Sequence, residues 1–249
     1  MTTWTRQLYE HDRLAIAKGE SNGYSFDHIL GAVPAMSQNT EGSVWDVNDT
    51  MYPWQAFDTA SVLNIPAVNA ADNGHTLTIS GLDADYNPVT EVVTLSSSAE
   101  VTTTNTFKRF RKAYYTNGGF NVTAAANINI RVGTTVVARV REDTSETFNG
   151  VYTVPAGYTA YLTQGTMTVS AGADATGNFD YMLFGATHFR SGHTFEVSGS
   201  GGQYLYKFDV PFVVPEKTDL DVRAAVRSNN ARVTAAYDLI LVANSHKDV

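Results

Sequence analysis

Few residues in this chain have the types and spacing that could do chemistry. Asp83, Asp85 and Asn87 alternate within GLDADYNPVTE (81–91), the spacing with which an EF-hand calcium loop opens. Such a loop also needs a glycine at its sixth position, a bidentate glutamate at its twelfth, and flanking helices. Counting from Asp83, those positions hold Pro88 and Thr94, and the flanks HTLTIS and VTEVVTLS have strand composition. Pro88 fixes its own φ and restricts Asn87, while Asp and Asn side chains bond nearby backbone, so the stretch reads as a hairpin turn. His188 and His193, in HFRSGHTF, lack further ligands at metal spacing and read as loop histidines. There is no P-loop, no H-E-x-x-H and no G-x-G-x-x-G opening a helix. The segment GSGG (199–202) runs from one strand pattern into another, so it offers a phosphate no helix N-terminus. The residues therefore imply no enzyme, no cofactor and no metal.

Two stretches could instead bind. FKRFRK (107–112) mixes aromatics with cations, as some nucleic-acid surfaces do. In a strand its charges spread over both faces, with Arg109 and Arg111 opposite Lys108 and Lys112. That arrangement suits an edge protected against mispairing or a salt-bridged contact. A net charge of −8 also argues against sequence-independent binding to a phosphate backbone, and no nucleic-acid partner is expected. YLYKFDVPF (204–212) places Tyr204, Tyr206, Phe208, Val210 and Phe212 on one face, which reads as core between two sheets. Exposed and coplanar, Tyr204, Tyr206, Tyr158 and Tyr161 would instead make a sugar-stacking surface, the mark of a carbohydrate-binding or adhesin module.

The elements that position these residues are mostly strands. From about Thr59 the apolar period is two: Leu77 and Ile79, then Ile128, Ile130 and Val132, then Leu220, Val222, Ala224 and Val226. Turn signals recur in NGG (117–119), PAG (155–157), SAGADATGN (170–178) and SGSGG (198–202). Such patterning predicts an all-β chain of antiparallel sandwich or jelly-roll modules. Residues 1–60 differ. Trp4, Leu8, His11 and Ala15 recur at helical spacing and predict one short helix, about Arg6 to Lys18. The aperiodic, aromatic-bearing stretch after it reads as an extended arm docked on its own β body or on a neighbouring subunit. In a neighbour's surface Trp4, Leu8, Trp45, Tyr52 and Trp54 would be the anchors, since large aromatics dominate contact energy. On that view, deleting residues 1–55 abolishes assembly and leaves a folded β body. The expected organisation is an arm at 1–60, one β unit at 61–145 and another at 146–249, with an interleaved sandwich as the alternative.

Composition bounds the setting. Over 249 residues, 43% are hydrophobic and only 17% charged, low against the roughly 25% of a typical soluble domain. Surface poor in charge suits cover by neighbouring copies, or equally Thr-rich strands that need fewer charges. Without cysteine, neither disulfides nor thiolate metal sites can form. MTTWTRQLYEHD lacks the apolar core of a signal peptide, and no apolar run approaches the roughly 20 residues of a membrane helix. No membrane partner is expected.

Three stretches resemble virion structural proteins of tailed, marine bacteriophages: SVWDVNDTMYPW (43–54), GHTLTISGLDADYNPVTEVVTLS (74–96) followed by TTNTFKRFRKAYY (103–115), and ETFNGVYTVPAGYTAYLTQGTMTVSAG (146–172). The likeness runs from Ser43 to Gly172 and less distinctly through PFVVPEKTDLDVRA. It implies a non-enzymatic particle component, assembled in the host cytoplasm as a homo-oligomer in contact with other copies and with capsid or tail proteins. The resemblance leaves open whether it is a capsid decoration, a head–tail or tail adaptor, or a fibre base.

Overall fold

The computed structural model describes residues 13–117, 122–170, 172–198, 202–228 and 230–246. The protein is nearly all strand with antiparallel pairing, and a short helix at residues 13–17 precedes the first strand. Strands β1 (Tyr24–Met36) and β2 (Glu41–Ser43) come first. Seven more follow: β3 (Asn64–Ile65), β4 (Thr76–Leu82), β5 (Pro88–Thr94), β6 (Val101–Thr102), β7 (Arg109–Tyr115), β8 (Ile128–Val132) and β9 (Thr135–Val140). The last seven are β10 (Val151–Thr153), β11 (Tyr158–Val169), β12 (Ala175–Met182), β13 (Arg190–Val197), β14 (Gln203–Val214), β15 (Asp219–Val226) and β16 (Ala231–Ala243). Among the described residues no helix is long and apolar enough to cross a membrane.

One four-stranded sheet has the order β1-β16-β11-β14, and the sheet facing it runs β10-β15-β12-β13, with β2 extending the same side of β15 as β10. Taken as eight strands in chain order, the first pairs with the eighth, the eighth with the third, and the third with the sixth. Across the sandwich the second pairs with the seventh, the seventh with the fourth, and the fourth with the fifth. This is the jelly-roll order, in which successive strands cross between sheets and close two Greek keys. Alternation supplies the core: Val233, Ala235, Tyr237, Leu239 and Leu241 of β16 meet Leu220, Val222, Ala224 and Val226 of β15.

Residues 45–151 form a second core between two smaller sheets, β6-β3-β8-β9 and β5-β4-β7. They enter the chain between the first and second jelly-roll strands. The chain leaves and returns at one point: Gly150 N–H donates to the Val44 carbonyl at 2.8 Å, and Trp45 pairs with Asn149. Val44 N–H donates to the Val222 carbonyl at 2.7 Å, tying this neck to β15. Gly31 of β1 lies against it so closely that a Cβ would strike the Val44 carbonyl and the Gly150 backbone. Only glycine fits there.

The segment after the helix docks on the chain's own β body. Residues 24–36, read from sequence as aperiodic, form a thirteen-residue strand paired along β16 from Tyr24–Val242 to Met36–Ala231. Its alternation was hidden because apolar residues occupy both faces. Trp45, Tyr52 and Trp54 are buried in the second core, so they are not presented to a neighbouring subunit. Trp4 and Leu8 lie outside the described residues. Deleting residues 1–55 therefore removes an edge of the jelly roll and two core tryptophans. The expected product has no cooperative thermal transition by circular dichroism, whereas deletion of residues 1–12 retains one.

Candidate functional site

The acidic turn is the first place to look for chemistry, and it is used for docking. Asp83 Oδ1 accepts the backbone N–H groups of Asp85 and Asn87, both at 2.9 Å, which closes the hairpin between β4 and β5. Tyr86 stands at its tip with φ +69°, a left-handed conformation that a bulky residue adopts only when its surroundings hold it. Here the Tyr86 carbonyl accepts Ala156 N–H at 2.9 Å, and its ring meets Phe184 edge-on, beside Lys217 and Arg109. The turn is a knob seated on the jelly roll. Among the described residues no group of three or more His, Cys, Asp or Glu side chains could hold a metal ion.

Around the knob lies a buried polar face that the sequence did not single out. Strand β15 turns Asp219 and Asp221 away from the jelly-roll core, yet both are buried beneath residues 43–57 and β7. Arg109 reaches Asp219 as a fork, Nε to Oδ1 at 2.8 Å and Nη2 to Oδ2 at 2.7 Å, and Thr153 donates to the same carboxylate at 2.5 Å. Arg223 holds Asp180 at 3.1 Å and Asp221 at 3.0 Å, while Ser43 and Trp54 also donate to Asp221. Arg111 pairs with Asp27 of β1, which also accepts the Tyr152 hydroxyl at 2.7 Å. Burial raises the Asp221 pKa against the opposing pull of Arg223, Ser43 and Trp54, and pushes the Tyr52 phenol far above its ordinary value. Burial works against the charge on Arg109, but the hydrogen bonds and charge of Asp219 outweigh it and raise its pKa.

The basic run FKRFRK thus sits on an edge strand and makes salt-bridged contacts, but within the chain. Arg109 and Arg111 clamp the insertion onto the jelly roll, and Lys112 pairs with Glu146 at 2.5 Å. Each of these acids is paired through at least one oxygen, while Asp221 Oδ1 is buried without a hydrogen-bond partner. The signal available in the sequence was DLDVR, where Asp219, Asp221 and Arg223 alternate with the apolar residues of β15.

Asp46 lies apart from this face. It is 0% exposed in the neck, where Oδ2 accepts Phe148 N–H at 2.9 Å and Oδ1 has no hydrogen-bond partner. Burial raises its pKa to about 7, against the Phe148 hydrogen bond and the charges of Arg141 and Arg139. Its place in the neck couples its protonation to the stability of the junction.

The remaining candidates resolve into packing. His193 shares a 2.9 Å hydrogen bond with the Tyr204 hydroxyl and lies over Tyr206, ring centroids 4.4 Å apart; His188 is exposed in the preceding loop. Phe195, Tyr204, Tyr206 and Phe208 complete a ring cluster joining the free edges of β13 and β14 over an apolar slot of about 30 Å³. The expected aromatic face breaks at Val210, which is 81% exposed. One β11 residue, Thr163, stands opposite the four residues 208–211 in a bulge that turns Val210 outward. Gly19–Gly23 spells G-x-S-x-G, yet it links the helix at 13–17 to β1, the reverse of the strand-to-helix turn that exposes a nucleophile.

One outer sheet face stays partly open. On the outer face of the first sheet, Phe26 lies opposite Ile240, Ile240 opposite Tyr161, and Tyr161 opposite Val213, one row across all four strands. Val213 is 54% exposed, and Leu205, farther along β14, is 53% exposed. A groove of about 210 Å³ beside this row is lined by Ile16 and Ala17 of the helix with Phe26, Phe208 and Ile240, and equally by the polar Arg13, Gln164, Lys207 and Asp238.

No family model and no curated protein matches the chain. Solved structures give weak likenesses. The cowpea mosaic virus top component, naturally occurring empty particles, is 8% identical with a TM-score of 0.22, covering 72% of this chain and 82% of that one. The infectious bursal disease virus VP2 subviral particle is 9% identical with a TM-score of 0.21, covering 90% and 73%. A Bacillus thuringiensis Cry1Da tryptic core variant is 8% identical with a TM-score of 0.19, covering 84% and 58%. Scores this low assign neither fold nor role, and the jelly-roll topology rests on the strand order above.

Two measurements test the face and the neck. Arg109→Ala leaves Asp219 buried and unpaired, with an expected loss of about 3–5 kcal/mol, or roughly 10 °C in Tm by calorimetry. Arg109→Lys recovers little of it, because an ammonium cannot make the forked contact. For Asp46, the folded-state pKa lies above the unfolded value, so its stabilising contribution is complete below about pH 4 and is lost as pH rises through about 7. Asp46→Asn should match the parent at pH 4 and exceed it at pH 8 by on the order of a few kcal/mol in denaturant titrations.

Proposed function

We propose that this chain is a non-enzymatic structural component of a tailed-bacteriophage virion, assembled in the host cytoplasm. It binds other copies of itself and capsid or tail proteins through its N-terminal segment and its β surfaces. Capsid decoration or cement is favoured, with a neck or tail adaptor or a fibre base next. The observation that carries this reading is the contrast between the two outer sheet faces. The face of β15 is covered by the chain's own insertion, whereas the face of β1-β16-β11-β14 keeps an apolar row open at its β14 edge. Apolar surface gathered in one place marks an interaction site. The low charge content and the resemblance of residues 43–172 to virion proteins point the same way. Trp4 and Leu8 are the anchors assigned to the N-terminal segment. The division of labour follows the two cores, with the jelly roll packing against neighbours and the insertion braced on it.

A carbohydrate-binding module is the competing reading, and the aromatic geometry weakens it. Tyr206 is flanked by His193 and Phe208, Tyr204 is stacked on Phe195, and Tyr158 packs against the core. These rings partly cover one another, but Tyr206 is 38% exposed and parallel to Tyr204, and Tyr161 stands on the outer row, so a glycan-binding screen remains the test of this reading. Quantitative proteomics of purified particles tests the proposal. A copy number near that of the major shell protein is expected for a decoration protein, and a ratio of a few per cent moves it to the neck, tail or fibre base. Absence from particles overturns the virion reading, and a glycan-binding screen would follow.

A further inference from the structure

The edge strands of the jelly roll are not alike. The free side of β1 meets the neck, where Ala32 N–H donates to the Phe148 carbonyl at 3.3 Å and Gly31 lies against Val44 and Gly150. Strand β10 is buried, with Val151 in the second core. The exposed side chains of β13, Arg190, Ser191, Thr194 and Glu196, are all polar. Strand β14 differs. It runs for twelve residues and pairs with β11 alone. Along it Leu205, Tyr206, Val210 and Val213 are 53%, 38%, 81% and 54% exposed. A long edge with apolar side chains is a template for another chain. Lys207 and Asp209 stand in the middle of this edge, both exposed, and among the described residues neither has an ion pair.

We propose that two copies of this chain join edge to edge through β14, antiparallel across a two-fold axis at Phe208. Lys207 of each copy then meets Asp209 of the other, Tyr206 meets Val210, and Leu205 meets Pro211. The charges select this register. Moving the axis by one residue sets Lys207 on Lys207 or Asp209 on Asp209, and parallel strands would do both. Pro211 has no N–H to donate, and the bulge at 208–211 interrupts the strand edge. Contact at the axis is therefore made by side chains, with the outward Val210 against Tyr206, and the ladder alone cannot recruit an arbitrary strand. This rests on the assembly reading above and names the surface and symmetry which that reading leaves unspecified. The paired charges are exposed, so added salt weakens the dimer.

Charge exchange in the full-length chain tests the contact, with association read by analytical ultracentrifugation over a range of concentrations. The parent chain is expected to dimerise. Lys207→Asp and Asp209→Lys each set like charges across the axis and should weaken the dimer about tenfold. Both positions are exposed, so each variant should keep the parent's thermal transition by circular dichroism. An equimolar mixture of the two variants restores opposite charges in trans, as does the double exchange in one chain, and both should recover the parent dissociation constant. Recovery in the mixture cannot come from a contact within one chain. A parent that associates while the single variants associate equally well overturns this surface and leaves the assembly reading standing. A parent that stays monomeric at every concentration overturns the dimer, and the copy number in purified particles then decides the assembly reading separately.

Discussion

Two carboxylates on the outward side of β15 set the terms for the rest of the structure. Asp219 and Asp221 are buried by the chain that crosses them, and a buried charge is tolerated only when it is paired and hydrogen-bonded. One partner, Arg223, comes from the same strand. The other, Arg109, comes from the insertion and is 110 residues away in sequence. Its fork on Asp219 therefore specifies where the insertion must sit. Arg111 on Asp27 and Tyr86 in its knob repeat the same instruction at two further points. Ion pairs of this kind contribute more to a unique orientation than to net stability, since apolar packing would bury the same area without desolvating charge.

The neck works by a different constraint, the close approach of three backbones. Gly31 and Gly150 let β1 and the two crossing strands come together where a single Cβ would hold them apart. The neck is then fastened by main-chain hydrogen bonds that no side chain can replace. Asp46 lies at the start of the insertion with half its carboxylate unpartnered. The junction is thus held by three devices of different chemistry: backbone contact, ion pairs, and a protonated acid at moderate pH.

The two outer sheet faces then differ for a simple reason. The insertion can cover only one of them. The other keeps Phe26, Ile240, Tyr161 and Val213 in line, and the helix at 13–17 lines a groove beside them that runs from β1 to β14.

Much of this was legible in the amino-acid order. Period-two alternation in INIRV, VVARVR, LDVRAAVR and VTAAYDLIL marks strands because successive side chains point to opposite faces. DADYNP reads as a turn because Asp and Asn bond their own backbone and Pro88 forbids continuation. A short helix near the start is also expected, and residues 13–17 form one; Trp4, Leu8 and His11, which carry the spacing, lie outside the described residues. These are local properties, decided by a few neighbouring residues. What only the tertiary structure decided is partnership across distance. Residues 24–36 carry apolar side chains on both faces and become the first jelly-roll strand only because β16 offers them an edge. Trp45, Tyr52 and Trp54 look like anchors for a neighbour until the second core closes over them. DLDVR alternates as a solvent face would, and it is buried because chain from elsewhere lies across it. Alternation tells which side chains share a face; what covers that face depends on contacts more than a hundred residues apart, which no local pattern records.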